Sequence, residues 1–141
     1  MNKELPVKIQ IIVYRKDKNG TVKILLLKRT LEDGGFWQTV TGTLEINESI
    51  LDARKRELEE ETGIREVVRF TNEIYRFSWQ KKDYTVVELV FGAEVSSDKV
   101  KLSQEHTEYA WLSYKDAIDI VEKENTKKSL EAFQNLVMSG K

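Results

Sequence analysis

The chain has 141 residues, no cysteine and a formal net charge of −1 at pH 7. That length supports one domain, residues 1–141, with a sizeable core but not two. The missing cysteines exclude disulfides and thiolate sites. Residues 1–6 lack the basic segment and apolar run of a signal peptide, no stretch approaches a membrane span, and the expected location is the cytoplasm. A charge so near zero argues against a stable nucleic-acid partner, while leaving room for a local basic pocket that takes phosphates.

In chain order, residues 7–14 alternate with β-branched side chains and predict a strand. Asp17-Lys18-Asn19-Gly20 turns it into a second strand at 22–27. Residues 30–35 read as a loop and 36–41 as a short strand. Gly42 is expected to end that strand in a tight turn, and Asn47 or Ser49 to cap a helix that Gly63 stops. Long strands follow at 67–79 and 84–95, joined near Lys81-Lys82-Asp83, then a polar loop at 96–104 and a short strand at 109–112. Ser113, with Asp116 three residues on, predicts the cap of a helix running through Glu124. A last amphipathic helix at 126–138 carries Leu130, Phe133, Leu136 and Val137 on one face. Strands on both sides of a central helix, with helices at the end, predict an α/β (α+β) fold in which a mixed sheet lies between helices.

The most specific signal lies between Gly42 and Ile64: Gly42, five residues, Glu48, seven residues, then Arg56-Glu57-Leu58-x-Glu60-Glu61-x-Gly63-Ile64. By residue frequencies alone, such a match arises by chance with a probability on the order of 10⁻⁶ or less. On a helix that advances about 100° per residue, with Glu57 at zero, Glu61 lies near +40° and Glu60 near −60°. Three carboxylates thus share one face. Glu59 falls on the far side, and Leu51 and Leu58, both near about 110°, are placed to anchor the helix to a core. Like charges at this spacing repel unless cations share the site, and hard carboxylate oxygens select Mg²⁺ or Mn²⁺, which completes its shell with phosphate oxygens.

This spacing is the Nudix box, and the chain resembles the Nudix hydrolases, whose fold agrees with the predicted element order. Phe36-Trp37-Gln38-Thr39-Val40-Thr41-Gly42 departs from the Pro-Gly-Gly lead-in of many members. It is similar to the lead-in of bacterial dihydroneopterin triphosphate pyrophosphatases, also known as dATP pyrophosphohydrolases. Pro6-Val7, Leu27-Lys28-Arg29, Glu105-His106, Tyr109-x-Trp111-Leu112 and Ala132-Phe133 have counterparts there, so the likeness spans most of the chain. It implies Glu57, Glu61 and the distant Glu105 as metal ligands, with Glu60 joining them from the wider pattern and Thr41 contributing its carbonyl. It implies Arg29 and Thr41 as substrate contacts, and Glu48 and Arg56 as supports for the loop and the metal-bearing acids. Gly42 and Gly63 frame the box. Those enzymes carry a longer insertion between the strands after the box, where this chain turns at residues 80–83, so contacts from that insertion do not transfer.

The implied reaction is hydrolysis of a phosphoanhydride, with Glu57 or Glu105 as general base and Arg56 beside it. The partner is a small nucleoside or pterin triphosphate, dihydroneopterin triphosphate or dATP, cleaved to a monophosphate and pyrophosphate for folate biosynthesis or nucleotide-pool housekeeping. A dinucleoside polyphosphate, a nucleotide sugar or a capped RNA end is the alternative substrate, and a non-catalytic nucleotide-binding regulator is the third reading. A homodimer is compatible with the family. Arg29 suits a bidentate phosphate contact where lysine would act as a point charge. Trp37 or Phe36 is a candidate for stacking on the heterocycle, against core packing for at least one of them. Trp79 and Trp111 read as structural, and His106 as a packed histidine that could orient Glu105.

Overall fold

The computed structural model describes residues 4–138. Residues 1–3, the start of the segment read above as lacking a leader, and residues 139–141 lie outside the described residues. Eight strands form one mixed sheet: β1 (Glu4–Lys16), β2 (Val22–Arg29), β3 (Trp37–Gln38), β4 (Val40–Glu45), β5 (Arg69–Phe70), β6 (Tyr75–Lys81), β7 (Tyr84–Glu94) and β8 (His106–Leu112). Three helices accompany it: α1 (Ile50–Thr62), α2 (Tyr114–Ile120) and α3 (Glu124–Met138). The β1–β7 pair is parallel and the other pairs are antiparallel.

Alternation along the strands sends side chains to two separate cores. Ile9, Ile11 and Val13 of β1 and Leu25 and Leu27 of β2 pack with Ala53 and Leu58 of α1. Their neighbours Ile12, Tyr14, Ile24 and Leu26 pack on the opposite face against Ala117 of α2 and Leu130 and Phe133 of α3. Both faces of the sheet are therefore covered, as the sequence predicts, and each fully buried Leu or Ile contributes roughly 1.5–3 kcal/mol. Leu58 takes its expected place, but Leu51 is 58% exposed. It lies in the first turn of α1, and Ala53 supplies the inward contact there.

The sheet opens beside β1. Strand β4 pairs with β1 at Lys8–Ile11 and β2 pairs with it at Tyr14–Lys16, on the edge opposite β7. Beyond Ile24, β2 leaves β1 and takes β3 and β8 as neighbours, so β2 and β4 part like a fork. A fork of this kind leaves backbone and side chains of both arms accessible, and it is where the candidate site lies.

Several predicted boundaries shift for identifiable reasons. The stretch expected as one strand at 67–79 breaks into β5 and β6, because Thr71 leaves the ladder to bond Gly92 with its hydroxyl as well as its amide. The single strand expected at 36–41 is β3 and β4, divided at Thr39 by the fork, and residues 31–33 of the expected loop form a 3₁₀ turn. The strand expected at 109–112 starts at His106, since its early residues pair with β2 across an irregularity at Lys28/Arg29. Ser113 Oγ accepts the Asp116 amide as expected, but α2 ends at Ile120, where Val121 turns extended and buries its side chain; α3 then begins at Glu124 rather than Thr126. Ser49, not Asn47, caps α1 by accepting the Asp52 amide at 3.0 Å. Asn47 instead makes the preceding turn, at φ 68°. Among the described residues no helix is long and apolar enough to cross a membrane.

Candidate active site

Gly42 sits inside β4, opposite Ile9, rather than at a strand end, and its role is close approach rather than a tight turn. A Cβ at this position would overlap the carboxylate of Glu57. The missing side chain is what lets α1 press Glu57 against the strand. Glu57 and Glu61, one helical turn apart, are 6% and 4% exposed, while Glu60 lies at the solvent edge of the same face. Glu59 points away and pairs with Arg65, as the helical arithmetic predicts.

Arg56 organises one half of the acids. Its Nε and Nη2 grip the two oxygens of Glu48 at 2.5 and 2.9 Å, and Nη2 also donates to the Thr43 carbonyl at 3.0 Å. Glu48 in turn accepts the Glu45 amide at 3.1 Å, which ties loop, strand and helix together. Nη1 faces Glu57 at 2.9 Å and Glu60 at 3.2 Å. The Glu48–Arg56 pair is thus a sheltered clamp, with Glu48 held below the ordinary glutamate pKa by hydrogen bonds from Arg56.

A clamp of this kind stabilises the fold. E48Q is expected to lower stability by about 1–3 kcal/mol at pH 7, the usual worth of a hydrogen bond to a charged group. Because the folded-state pKa of Glu48 is depressed, its contribution is complete above the ordinary glutamate value and is lost as pH falls through the lower folded value. Urea unfolding of wild type and E48Q should therefore differ at neutral pH and converge in strong acid. An equal gap at both pH values would show that the clamp is not ionic.

The other half of the acids meets across the fold. Glu61 Oε1 accepts the Ser103 hydroxyl at 2.8 Å and lies 3.1 Å from Nδ1 of the buried His106. The other ring nitrogen of His106 is 3.1 Å from the Gln38 amide nitrogen. Histidine 106 therefore supports Glu61, not Glu105 as the sequence reading has it, and Gln38 supports the histidine. Glu105 lies close enough to Glu61 for each carboxyl to shift the other. Burial pushes both carboxyls up, yet His106 and Ser103 bring Glu61 below the ordinary value, while burial and the Glu61 charge raise Glu105. Arg29 Nη1 reaches Glu105 at 3.4 Å and Nη2 reaches Asp33 at 3.2 Å.

These features fit a divalent cation by chemistry rather than by preformed geometry. Among the described residues no three acid or histidine side chains converge on one ligation point. The donors are all hard oxygens, however, and the positions demand positive charge. Burial pushes Glu57 up to about 7 against the opposing pull of Arg56, with Glu60 and Glu61 adding to the rise. The Glu61 charge also raises Glu105 beside it, a repulsion that a cation would relieve.

Arg29 and Gln38, which touch Glu105 and His106, also line a groove of about 810 Å³ on the α3 side of the sheet. Phe36 lines it beside Arg29, and Thr41 from β4, with Trp79 and Glu88 further along. Trp37, the stacking candidate, packs instead into the core against α2 and α3, with Lys28 over its ring. Trp79, read as structural, faces the groove and donates its indole N–H to Glu88. Ser103 and the Gln10–Glu88 pair carry no motif, and Gln38, although part of the quoted lead-in, shows its partner His106 only once the chain is folded.

Comparison with known proteins identifies the family. Residues 5–136 match the NUDIX domain. The chain is 27% identical over 140 residues to dihydroneopterin triphosphate diphosphatase of Haemophilus influenzae, covering 89% of this chain and 85% of that one. It is 30% identical over 139 residues to the asymmetrical bis(5'-nucleosyl)-tetraphosphatase of Rattus norvegicus, covering 92% and 93%. It is also 35% identical over 119 residues to a Myxococcus xanthus protein named octanoyltransferase, but spans only 33% of that protein's length and 81% of its own. Among solved structures, the Ap4A hydrolase of C. elegans superposes with a TM-score of 0.80 at 23% identity, covering 94% and 98%. The E. coli dihydroneopterin triphosphate pyrophosphohydrolase does so with a TM-score of 0.78 at 22% identity, covering 94% and 97%; at these identities the likeness is one of fold. With the box intact and the matching domain running almost from end to end, the chain belongs to the Nudix hydrolase family.

Proposed function

We propose that this Nudix hydrolase is a Mg²⁺- or Mn²⁺-dependent pyrophosphohydrolase of a nucleoside-triphosphate-like compound, dihydroneopterin triphosphate or dATP. The observation that carries the reading is the meeting of Glu61 and Glu105 beside Arg29 at one end of the groove, with Glu57 held against Gly42 next to them. Glu57, Glu60, Glu61, Glu105 and the Thr41 carbonyl are the groups that would hold the cations. Bound there, such ions supply positive charge against the phosphate oxygens and make water more acidic.

The remaining work falls to the protein. Arg29 takes a phosphate oxygen and holds the chain in line, leaving Glu105 free to act. Glu57 or Glu105 accepts the proton of the attacking water, whose oxygen bonds to phosphorus as the bridging P–O bond breaks. The products are a monophosphate and pyrophosphate. His106 and Gln38 keep Glu61 in place. The cysteine-free sequence supports a cytoplasmic setting.

The likeness to the rat tetraphosphatase supports a second reading, in which the same groups cleave a dinucleoside polyphosphate. A phosphate-release assay separates the two. With dihydroneopterin triphosphate or dATP and Mg²⁺, phosphate should appear only when inorganic pyrophosphatase is added, and excess EDTA should abolish it. Preferred, unequal cleavage of diadenosine tetraphosphate would favour the second reading, and no cleavage of any compound with either metal would sink both.

A further inference from the structure

At the end of the groove away from Arg29 lies a carboxyl group that the hydrolytic reaction does not use. Glu88 of β7 is 7% exposed and lines the groove with Lys8, Gln10, Phe77 and Trp79. One oxygen accepts Gln10 Nε2 at 2.8 Å and the other accepts Trp79 Nε1 at 3.1 Å. Among the described residues no cation comes within ion-pair distance of it. Lys8, its register neighbour on β1, instead places Nζ 6.0 Å from the centre of the Trp79 ring. A buried carboxylate is costly unless it is paired or fully hydrogen-bonded. Two neutral N–H donors leave two of its roughly four lone-pair positions free.

The orientation of Gln10 adds to the acceptor character. Its amide nitrogen must face Glu88, since the reverse placement would set oxygen against oxygen, and this leaves the buried Gln10 Oε1 without a partner. Apart from the Lys8 ammonium, held over the Trp79 ring, the free positions at this end of the groove are acceptors. A heterocycle that completes it must present adjacent N–H donors in one plane, which is the edge of a 2-amino-4-oxopyrimidine ring: a ring N–H beside an exocyclic amino group. An adenine edge puts a ring-nitrogen lone pair next to its amino group and would set that lone pair against a carboxylate oxygen.

We infer that Glu88, braced by Gln10 and Trp79, is a specificity-determining residue that selects substrates whose heterocycle carries the 2-amino-4-oxopyrimidine edge, as guanine and pterins do. This rests on the pyrophosphohydrolase reading above and decides between its two named substrates, favouring the pterin compound over dATP. A missing hydrogen-bond donor opposite a buried polar group costs more discrimination than a missing apolar contact.

The test compares GTP, which has the edge, with ITP, which lacks only the amino group, and with ATP. With Mg²⁺, wild-type kcat/KM should be at least roughly tenfold higher for GTP than for ITP or ATP, and dihydroneopterin triphosphate should behave like GTP. In E88Q, whose amide replaces one acceptor oxygen by an amino group, the GTP-to-ITP ratio should fall to within about threefold of unity. A purely structural Glu88 would lower all rates together and leave the ratio alone. Equal use of GTP and ITP by wild type, or an unchanged ratio in E88Q, would overturn the assignment. Should E88Q fail to fold, the wild-type comparison decides alone. Calorimetry of GMP against IMP keeps the two readings apart: if no triphosphate is hydrolysed, tighter GMP binding still upholds Glu88, and equal binding rejects it.

Discussion

Gly42→Ala is expected to remove most turnover while leaving the fold standing. The three nearest atoms a Cβ would strike at this position all belong to the Glu57 carboxylate, the free end of a flexible side chain. Strand β4 and helix α1 need not move, and Gly42 is not among the residues at positive φ, so alanine fits its backbone. The carboxylate, however, must leave the strand. Burial holds Glu57 in a costly position, so its displacement should change stability by no more than about 1 kcal/mol in either direction. Catalytic groups are less forgiving: a misplacement of about 1 Å can cost on the order of 10²-fold. We expect kcat to fall by at least about 10²-fold in G42A, with a higher Mg²⁺ concentration needed for half-maximal rate and a melting temperature within a few degrees of wild type. A variant that melts normally and turns over normally would show that contact of Glu57 with β4 is irrelevant to the reaction.

The contrast between Gly42 and Gly63 shows where sequence reading succeeds. Both belong to the same spaced pattern. Gly63 is a helix stop at φ 74°, with its amide returned to Glu59, and local rules predict it. Gly42 looks like a turn by the same rules, but its function depends on Glu57, fifteen residues later on a helix, lying against it, which no local rule contains. The helix face is legible for the opposite reason: a fixed rotation per residue places Glu57, Glu60 and Glu61 together and Glu59 apart without reference to the rest of the chain. The groove is the least legible part. Lys8, Gln10, Trp79 and Glu88 come from three strands whose adjacency is set by the parallel β1–β7 register and the β6–β7 hairpin, so their spacing in sequence carries no message. His106 falls between these cases. Its place beside Glu105 is visible in sequence, but its contact with Glu61 depends on how the distant helix α1 packs against the start of β8.

Glu61→Gln tests the other half of the site. The substitution keeps the size of the side chain and an oxygen for the Ser103 hydroxyl, but removes the charge that faces His106 and Glu105. Relief of burial and loss of the charged partner act in opposite directions, so stability should shift by about 1 kcal/mol or less. The effect on turnover should be far larger. Removing one carboxylate from a set of hard oxygen donors weakens cation binding, and it frees Glu105 from the repulsion that raises its pKa. We expect kcat to drop by at least about 10²-fold with KM for the triphosphate little changed, because Arg29 and the groove remain intact. H106A offers an internal control. It leaves every carboxylate in place but removes the ring beside Glu61, so it should lower the rate by a smaller factor, roughly tenfold, and add little when combined with E61Q, since both act on the same group. Full turnover by E61Q at ordinary Mg²⁺ would mean that the meeting of Glu61 and Glu105 is a packing contact, and additive losses in the double variant would place His106 in some other role.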